Sequence, residues 1–226
     1  MQTVYGFIRR LGISTKYKGY QYLAAALPLL RQVDAEYQEH TDVGEIYAHA
    51  ERLADRILGK VQAHARDERQ LFVSAITPEG FVNYAETVFG DTYTVSVKGK
   101  YGTSLFIERF YEIARMRGHG IMLFTCPLRP EEKMEHLYIP ALRFSLTTYD
   151  LYTHVQGAEM IDLDVYQTDG GGIGEDIGYA GSLMQRAIDA FSDAKTAHGF
   201  LEKLYVPAMD FDALEERSAA LINSIF

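Results

Sequence analysis

The sequence predicts an α/β protein in which a mostly parallel sheet is flanked by helices and preceded by a helical N-terminal segment. Two observations carry this. Strand-like apolar runs at residues 71–77, 93–97, 121–125 and 137–146 are interrupted by an amphipathic stretch at 105–117, and strands separated by a helix favour parallel pairing. At both ends of the chain the apolar residues instead recur at helical spacing.

Residues 1–68 read as the helical segment. Val4, Phe7, Ile8 and Leu11 form one stripe, and Tyr20, Leu23, Ala24, Leu27 and Leu30 form another, with Gly12 and Gly19 as punctuation. A further helix starts near Asp42, which stands in capping-box spacing with Glu45, and continues through Ile46, Ala50, Leu53 and Ile57. Residues 69–226 read as an α/β domain whose sheet core reaches to about residue 168 and whose end is a helical hairpin. The strand at 71–77 stops at Pro78-Glu79-Gly80, and β-branched residues favour a strand at 93–97. The helix at 105–117 places Ile107, Phe110, Tyr111 and Ala114 on one face and stops at Gly118 and Gly120. A long helix is expected over 175–204, and Asp212 with Glu215 is spaced to cap the last one.

Composition bounds the class. With 226 residues, 47% hydrophobic and 23% charged, the chain has the makeup of a globular protein able to bury a core. No apolar run reaches the ~18 residues of a membrane span, and the start of the chain lacks a signal-peptide pattern, so a cytoplasmic protein without membrane partners is expected. The single cysteine, Cys126, cannot form an internal disulfide and reads as a buried thiol beside a strand end. The net charge of −9 is uneven: residues 1–33 carry Arg9, Arg10, Lys16, Lys18 and Arg31 with no acid, whereas 155–226 carry thirteen acids against four bases. The first segment suits an anionic partner, or the two ends neutralise one another.

The chain also repeats itself. Laid over one another at an offset of 168, residues 24–58 and 192–226 match Ala26 with Ala194, Tyr37 with Tyr205, Asp42 with Asp210, Ile46 with Leu214 and Leu53 with Leu221. This is the pattern of a duplicated helical hairpin, although shared apolar period alone aligns many such positions.

The segment richest in chemistry is 93–110, a strand, a glycine turn and a helix in the layout of a phosphate-binding loop. The P-loop signature is G-x-x-x-x-G-K-[ST], and this chain has Gly99-Lys100-Tyr101-Gly102-Thr103-Ser104, shorter by a Gly-Lys pair. The turn and hydroxyls are present; the lysine is not. Gly99, Lys100, Gly102, Thr103 and Ser104 are therefore the expected phosphate-binding residues, and a tight strand-to-helix turn is the other reading.

The stretches RQLFVSAITPEGFVNY, RGHGIMLFTCPLRP, LYIPALRFSLTT and LYVPAMDFDALEERSAALI make residues 69–226 resemble a bacterial family of ATPase-like proteins with two P-loop NTPase domains in tandem. The resemblance makes this region a second repeat, and the N-terminal hairpin the tail of a first. It implies a P-loop-NTPase-like fold, nucleotide binding with ATP and Mg²⁺ as cofactors, a phosphate cradle in the amides of residues 99–104, and Ser104 as the magnesium-side hydroxyl. Lys98 and Lys100 stand at the start of the turn, and the strand after Pro140 runs into Thr147 and Thr148 rather than a magnesium-binding aspartate, so degenerate binding is expected over hydrolysis. A shorter string, RRLGISTKYKGYQYLAAAL, is similar to the start of the DNA-binding effector domain of the sporulation master response regulator. That implies an interaction module working through the basic N-terminal helices with a protein or DNA partner; DNA is disfavoured, because the recognition helix has no counterpart and residues 47–65 hold acids.

Other clusters carry less. His154, Glu159, Asp162 and Asp164 could offer oxygens to a divalent cation or be solvated acids on a strand edge. The glycine-rich 169–174 leads into Glu175 and Asp176, which repel phosphate, so it reads as a connector. Ser74, Ser104 and Ser145 lack a nucleophile elbow, and His119 and His136 stand beside predicted turns without an orienting motif, so no catalytic triad is indicated. The expected function is a nucleotide-binding, pseudo-NTPase-like protein; the alternative is the interaction module.

Overall fold

The computed structural model describes residues 18–59, 63, 67–150, 152–168 and 174–225. Helices α1 (Lys18–Glu39) and α2 (Val43–Leu58) come first. They are followed by β1 (Glu68–Leu71), β2 (Ser74–Thr77), β3 (Gly80–Asn83), α3 (Ala85–Phe89), β4 (Tyr93–Lys98), α4 (Thr103–Met116) and β5 (Ile121–Thr125). The chain continues through β6 (Met134–Ile139), β7 (Phe144–Tyr149), β8 (Glu159–Asp162), α5 (Gly174–Tyr205) and α6 (Phe211–Ile225). Six strands form one sheet in the order β1-β5-β6-β7-β4-β8, in which β6 alone runs against the others. The α/β class and the mostly parallel sheet are as expected.

Two expected strands divide. The run at 71–77 breaks at Phe72 and Val73: β1 is an edge of the large sheet, while β2 pairs antiparallel with β3 in a small sheet of its own. The cause is local. Pro78 and Glu79 reverse the chain directly after Thr77, Gly80 takes φ +115°, and Val73 is buried with Ala85, Phe89 and Phe124, which fixes the kink. The run at 137–146 also divides, because Pro140 opens a single 3₁₀ turn (Pro140–Leu142) and Arg143 takes φ +47°. The resulting hairpin pairs Tyr138 with Ser145, and this is why one antiparallel strand stands inside a parallel sheet. His136 is consequently mid-strand, not beside a turn.

The two faces of the large sheet differ in chemistry. Val95, Val97, Leu137, Leu146 and Ile161 face α2 and α4, whose Ile46, Leu53, Phe106, Ile107 and Phe110 complete the main core. Alternation sends Thr94, Ser96, Ser145 and Thr147 to the other side, where all are buried. There Ser96 and Thr147 hydroxyls share a hydrogen bond of 2.9 Å, and the Thr92 hydroxyl donates to that of Ser145 at 2.8 Å. This face is roofed by short elements: Phe89 of α3 packs edge-on against Phe124 at 5.3 Å and tilted against His136 at 5.6 Å.

Helices from both chain ends pack on the core and on each other. α2 belongs to the main core, so the N-terminal helical segment contributes to the same core as the sheet. α1 lies along α5, so close that a side-chain carbon on Gly19 would stand 2.6 Å from the Phe191 ring, and Arg186 sits over the Tyr22 ring at 4.4 Å. The two hairpins that the repeat pairs have matching caps. Asp42 accepts from the Glu45 amide at 3.0 Å and Asp210 from the Ala213 amide at 3.0 Å, so α6 is capped by Asp210 rather than by Asp212. Ile46 and Leu53 are buried in α2, but their counterparts Leu214 and Leu221 in α6 are exposed.

His136 is wholly enclosed, with neither ring nitrogen hydrogen-bonded among the described residues, and burial holds its pKa down to about 3 from 6.5. Between those values the unfolded chain binds the proton and the folded chain does not. Stability from this group is therefore full above pH 6.5 and falls as the pH drops toward 3, by about 1.4 kcal/mol per unit at most. Urea unfolding of wild type and His136→Leu across this range should show the slope in the former and a shallower one in the latter.

Candidate functional site

β4 lies between β7 and β8, parallel to both, so three strands deliver their carboxyl ends to one edge. In open parallel sheets that edge is where ligands bind. The turn Gly99–Gly102 leaves β4 there and opens α4. Gly102 takes φ +88°, and a side-chain carbon on it would stand 2.4 Å from Ile46 Cδ1 of α2; one on Gly99 would stand 3.0 Å from Leu163 Cβ. Both glycines thus serve a close approach of backbone to buried side chains.

The five expected residues divide by role. Gly99 and Gly102 are packing residues. The Lys100 amide donates to Asp164 Oδ1 at 2.9 Å, so a carboxylate of the chain already takes one amide of the cradle. Phe106 is the first residue of α4 bonded within the helix, to Gly102 at 2.9 Å, and the amides of Thr103, Ser104 and Leu105 precede it with no acceptor among the described residues. The Ser104 hydroxyl accepts from the Met134 amide at 3.0 Å and is held against β6.

Lys100, Thr103 and Ser104 line a cavity of about 260 Å³ beneath α1. Its walls also include Arg31 and Asp34 of α1, Glu108 of α4, and Arg129, Glu132 and Lys133 of the β5–β6 connection. Arg129 is 8% exposed; its Nη1 stands 2.5 Å from Asp34 Oδ2, and Lys133 Nζ stands 3.1 Å from the same carboxylate. Arg31 pairs with Glu132 through two hydrogen bonds, which hold the Glu132 carboxyl below the usual carboxylate range. The Lys100 ammonium has no ion pair among the described residues, whereas Lys98 Nζ is held by Asp162 at 2.8 Å. Tyr101, beside this cavity, has its pKa raised by burial and then by the nearby Asp34 charge.

Sequence reasoning missed Arg129, Lys133 and Asp34, and it offered Asp164 as a cation ligand rather than as the acceptor of the Lys100 amide. The available signal was Arg129-Pro130-Glu131-Glu132-Lys133 directly after the carboxyl end of a strand, on the ligand edge of the sheet.

On the far side of Lys100 an open hollow of about 550 Å³ is lined by Gly99, Tyr149, Asp150, His154 and Asp164. Asp150 follows β7, so an aspartate does stand at the end of that strand, contrary to the expectation. Its Oδ1 closes a turn by accepting from the Tyr152 amide at 2.7 Å and the Thr153 amide at 2.8 Å. The acidic cluster is dispersed. Glu159 bonds Arg56 at 2.7 Å and the Tyr93 hydroxyl at 2.6 Å, with Arg56 the larger cause of its lowered pKa; Asp162 holds Lys98, and Asp164 caps the turn. Among the described residues no group of three His, Cys, Asp or Glu side chains is placed to hold a metal ion.

The remaining candidates are quiet. Burial pushes the Cys126 thiol up to about 11 and raises the neighbouring Glu135 carboxyl, which keeps the thiol neutral and poorly nucleophilic. His119 is buried without a hydrogen-bond partner among the described residues. Of the basic N-terminal residues, Arg31 is paired, Lys18 is exposed, and Arg9, Arg10 and Lys16 lie outside the described residues, as does 169–173 of the glycine-rich connector.

These elements define an α/β protein whose mostly parallel sheet carries, at its carboxyl edge, a glycine turn and a cavity lined by both cations and acids. No protein-family model matches the chain, and comparisons with curated proteins and with solved structures found no significant match. Among the described residues no helix is long and apolar enough to cross a membrane.

Gly102→Ala should destabilise the fold by at least about 1 kcal/mol, because the positive φ penalises any Cβ and Ile46 obstructs this one. Gly157, also at positive φ but with open space around it, is the control: its alanine variant carries the φ cost without the clash. Denaturation midpoints that fall equally in the two variants would show that Ile46 yields freely.

Proposed function

We propose that this chain is a P-loop-like, pseudo-NTPase protein that binds the phosphates of a nucleotide such as ATP at residues 100–104 and does not transfer them. The observation that carries this reading is the cavity where the first amides of α4 meet Lys100, Arg129 and Lys133. Unbonded amides at a helix start attract oxyanions, the helix dipole adds to that attraction, and cationic side chains supply charge-assisted hydrogen bonds. A volume near 260 Å³ suits a phosphate or pyrophosphate group. The rest of a nucleotide would extend past Lys100 into the open hollow beside Tyr149 and His154.

Three features favour binding without turnover. Thr103 follows Gly102 where a P-loop has lysine. The Ser104 hydroxyl is held by the Met134 amide, and Asp150 Oδ1 is taken up by the amides of Tyr152 and Thr153. Phosphoryl transfer depends almost wholly on such positioned charges.

Calorimetric titration with ATP and with pyrophosphate tests the reading. Binding should be measurable below millimolar ligand and should weaken about tenfold in Lys100→Ala or Lys133→Ala, the loss of roughly one charge-assisted hydrogen bond. Phosphate release should stay at the buffer rate. Absence of binding at millimolar concentrations refutes the site; turnover that Ser104→Ala abolishes refutes the claim that transfer has been lost.

A further inference from the structure

We propose that Asp34 is a built-in competitor for the anion at this site, so that ligand binding and the docking of α1 on residues 126–133 oppose one another. The inference rests on the reading above and concerns how that site is regulated. The cations best placed for an oxyanion beside the start of α4, Arg129 and Lys133, are both already engaged by one carboxylate. That carboxylate comes from another element, a helix laid across the cavity. One turn earlier on α1, Arg31 pairs with Glu132 of the same connection, so the two contacts form a latch facing residues 126–133.

The charges make the competition unavoidable. Arg129 cannot give up its proton and is almost fully buried, so it requires an anion at all times. A phosphate that pairs with Arg129 and Lys133 stands beside the Asp34 carboxylate, and like charges at such range in a half-buried site repel strongly. One anion must leave. Asp34 can leave only if α1 shifts or its side chain turns away, and α1 is joined to α5 through Gly19 on Phe191 and through Arg186 on Tyr22. A shift of α1 would load the α1–α5 pair, and α5 leads through the 3₁₀ turn Val206–Ala208 to α6 with its exposed apolar side chains. Because the coupling is thermodynamic it is reciprocal: whatever loosens α1 tightens the anion site by the same factor.

The test is calorimetric titration of pyrophosphate into wild type, Asp34→Asn and Arg31→Ala, with amide hydrogen exchange over residues 18–39 with and without ligand. Asp34→Asn keeps the size and some hydrogen bonding of the side chain while removing its charge, and should bind about tenfold tighter, a coupling of ordinary allosteric size. Arg31→Ala should bind tighter by a smaller factor, and pyrophosphate should speed exchange in α1 of the wild type. Equal affinity in wild type and Asp34→Asn overturns the competition and leaves the site standing. Weaker binding in Asp34→Asn also overturns it, since Asp34 would then be part of the binding set. No binding in any of the three refutes the site and this inference with it. If Asp34→Asn does not fold, Arg31→Ala decides, and an affinity no tighter than wild type overturns the proposal.

Discussion

The structure depends on one close approach. At Gly102 the backbone between β4 and α4 comes so near Ile46 that no side chain fits, and at Gly99 it comes nearly as close to Leu163. Ile46 belongs to α2, which precedes the sheet in sequence, and Leu163 follows β8, the last strand. The turn is thus gripped by elements drawn from both sides of the core. The same stretch holds the joint between α1 and α2: the Asp42 amide donates to the Tyr166 carbonyl at 2.9 Å and the Thr168 amide to that of His40 at 2.8 Å. The position of α1 over the cavity, and hence of Asp34, is a consequence of this grip.

The sheet itself is specified by the difference between its faces. A slip of one residue in β4 would bring Thr94 and Ser96 under Phe106 and Phe110 and send Val95 and Val97 toward the hydroxyl-lined side. Buried hydroxyls are costly unless they find each other, and here the Ser96–Thr147 and Thr92–Ser145 bonds bridge neighbouring segments in one register only. Stability and register therefore come from different faces of the same strands. His136 sits among the hydroxyls as a neutral ring.

Much of this was legible in the sequence, and the misses have physical causes. Helical spacing located α1, α2, α4 and α5 because each has a one-sided apolar stripe or a cap, as at Asp42. Strand runs were found but overextended, since period-two patterning is the same on either side of a reversal. Only Pro78-Glu79-Gly80 and Pro140 marked where the chain turned, and the second was read through. The antiparallel β6 followed from that one omission. At the site, local reasoning found the loop because its residues are contiguous. It missed Asp34, Arg129 and Lys133, which are brought together from positions 95 and 99 residues apart. Nor could spacing alone show that Gly99 and Gly102 serve packing, because a glycine that admits a phosphate and one that admits Ile46 look alike in sequence.

The two hairpins aligned at an offset of 168 give the molecule an internal reference. Two helix pairs share a cap residue and a pattern of apolar positions, yet the second helix of one pair is sealed into the core while that of the other stands in solvent. Their caps match, but the apolar stripe of α2 is the more strongly one-sided, and it is the one that is enclosed. Enclosure of this kind ties the opening of α2 to that of the main core, a tie that α6, with no side chain in that core cluster among the described residues, does not have. Loss of helical order in α6 would therefore remove no described side chain from the core that holds the sheet and the turn at Gly102.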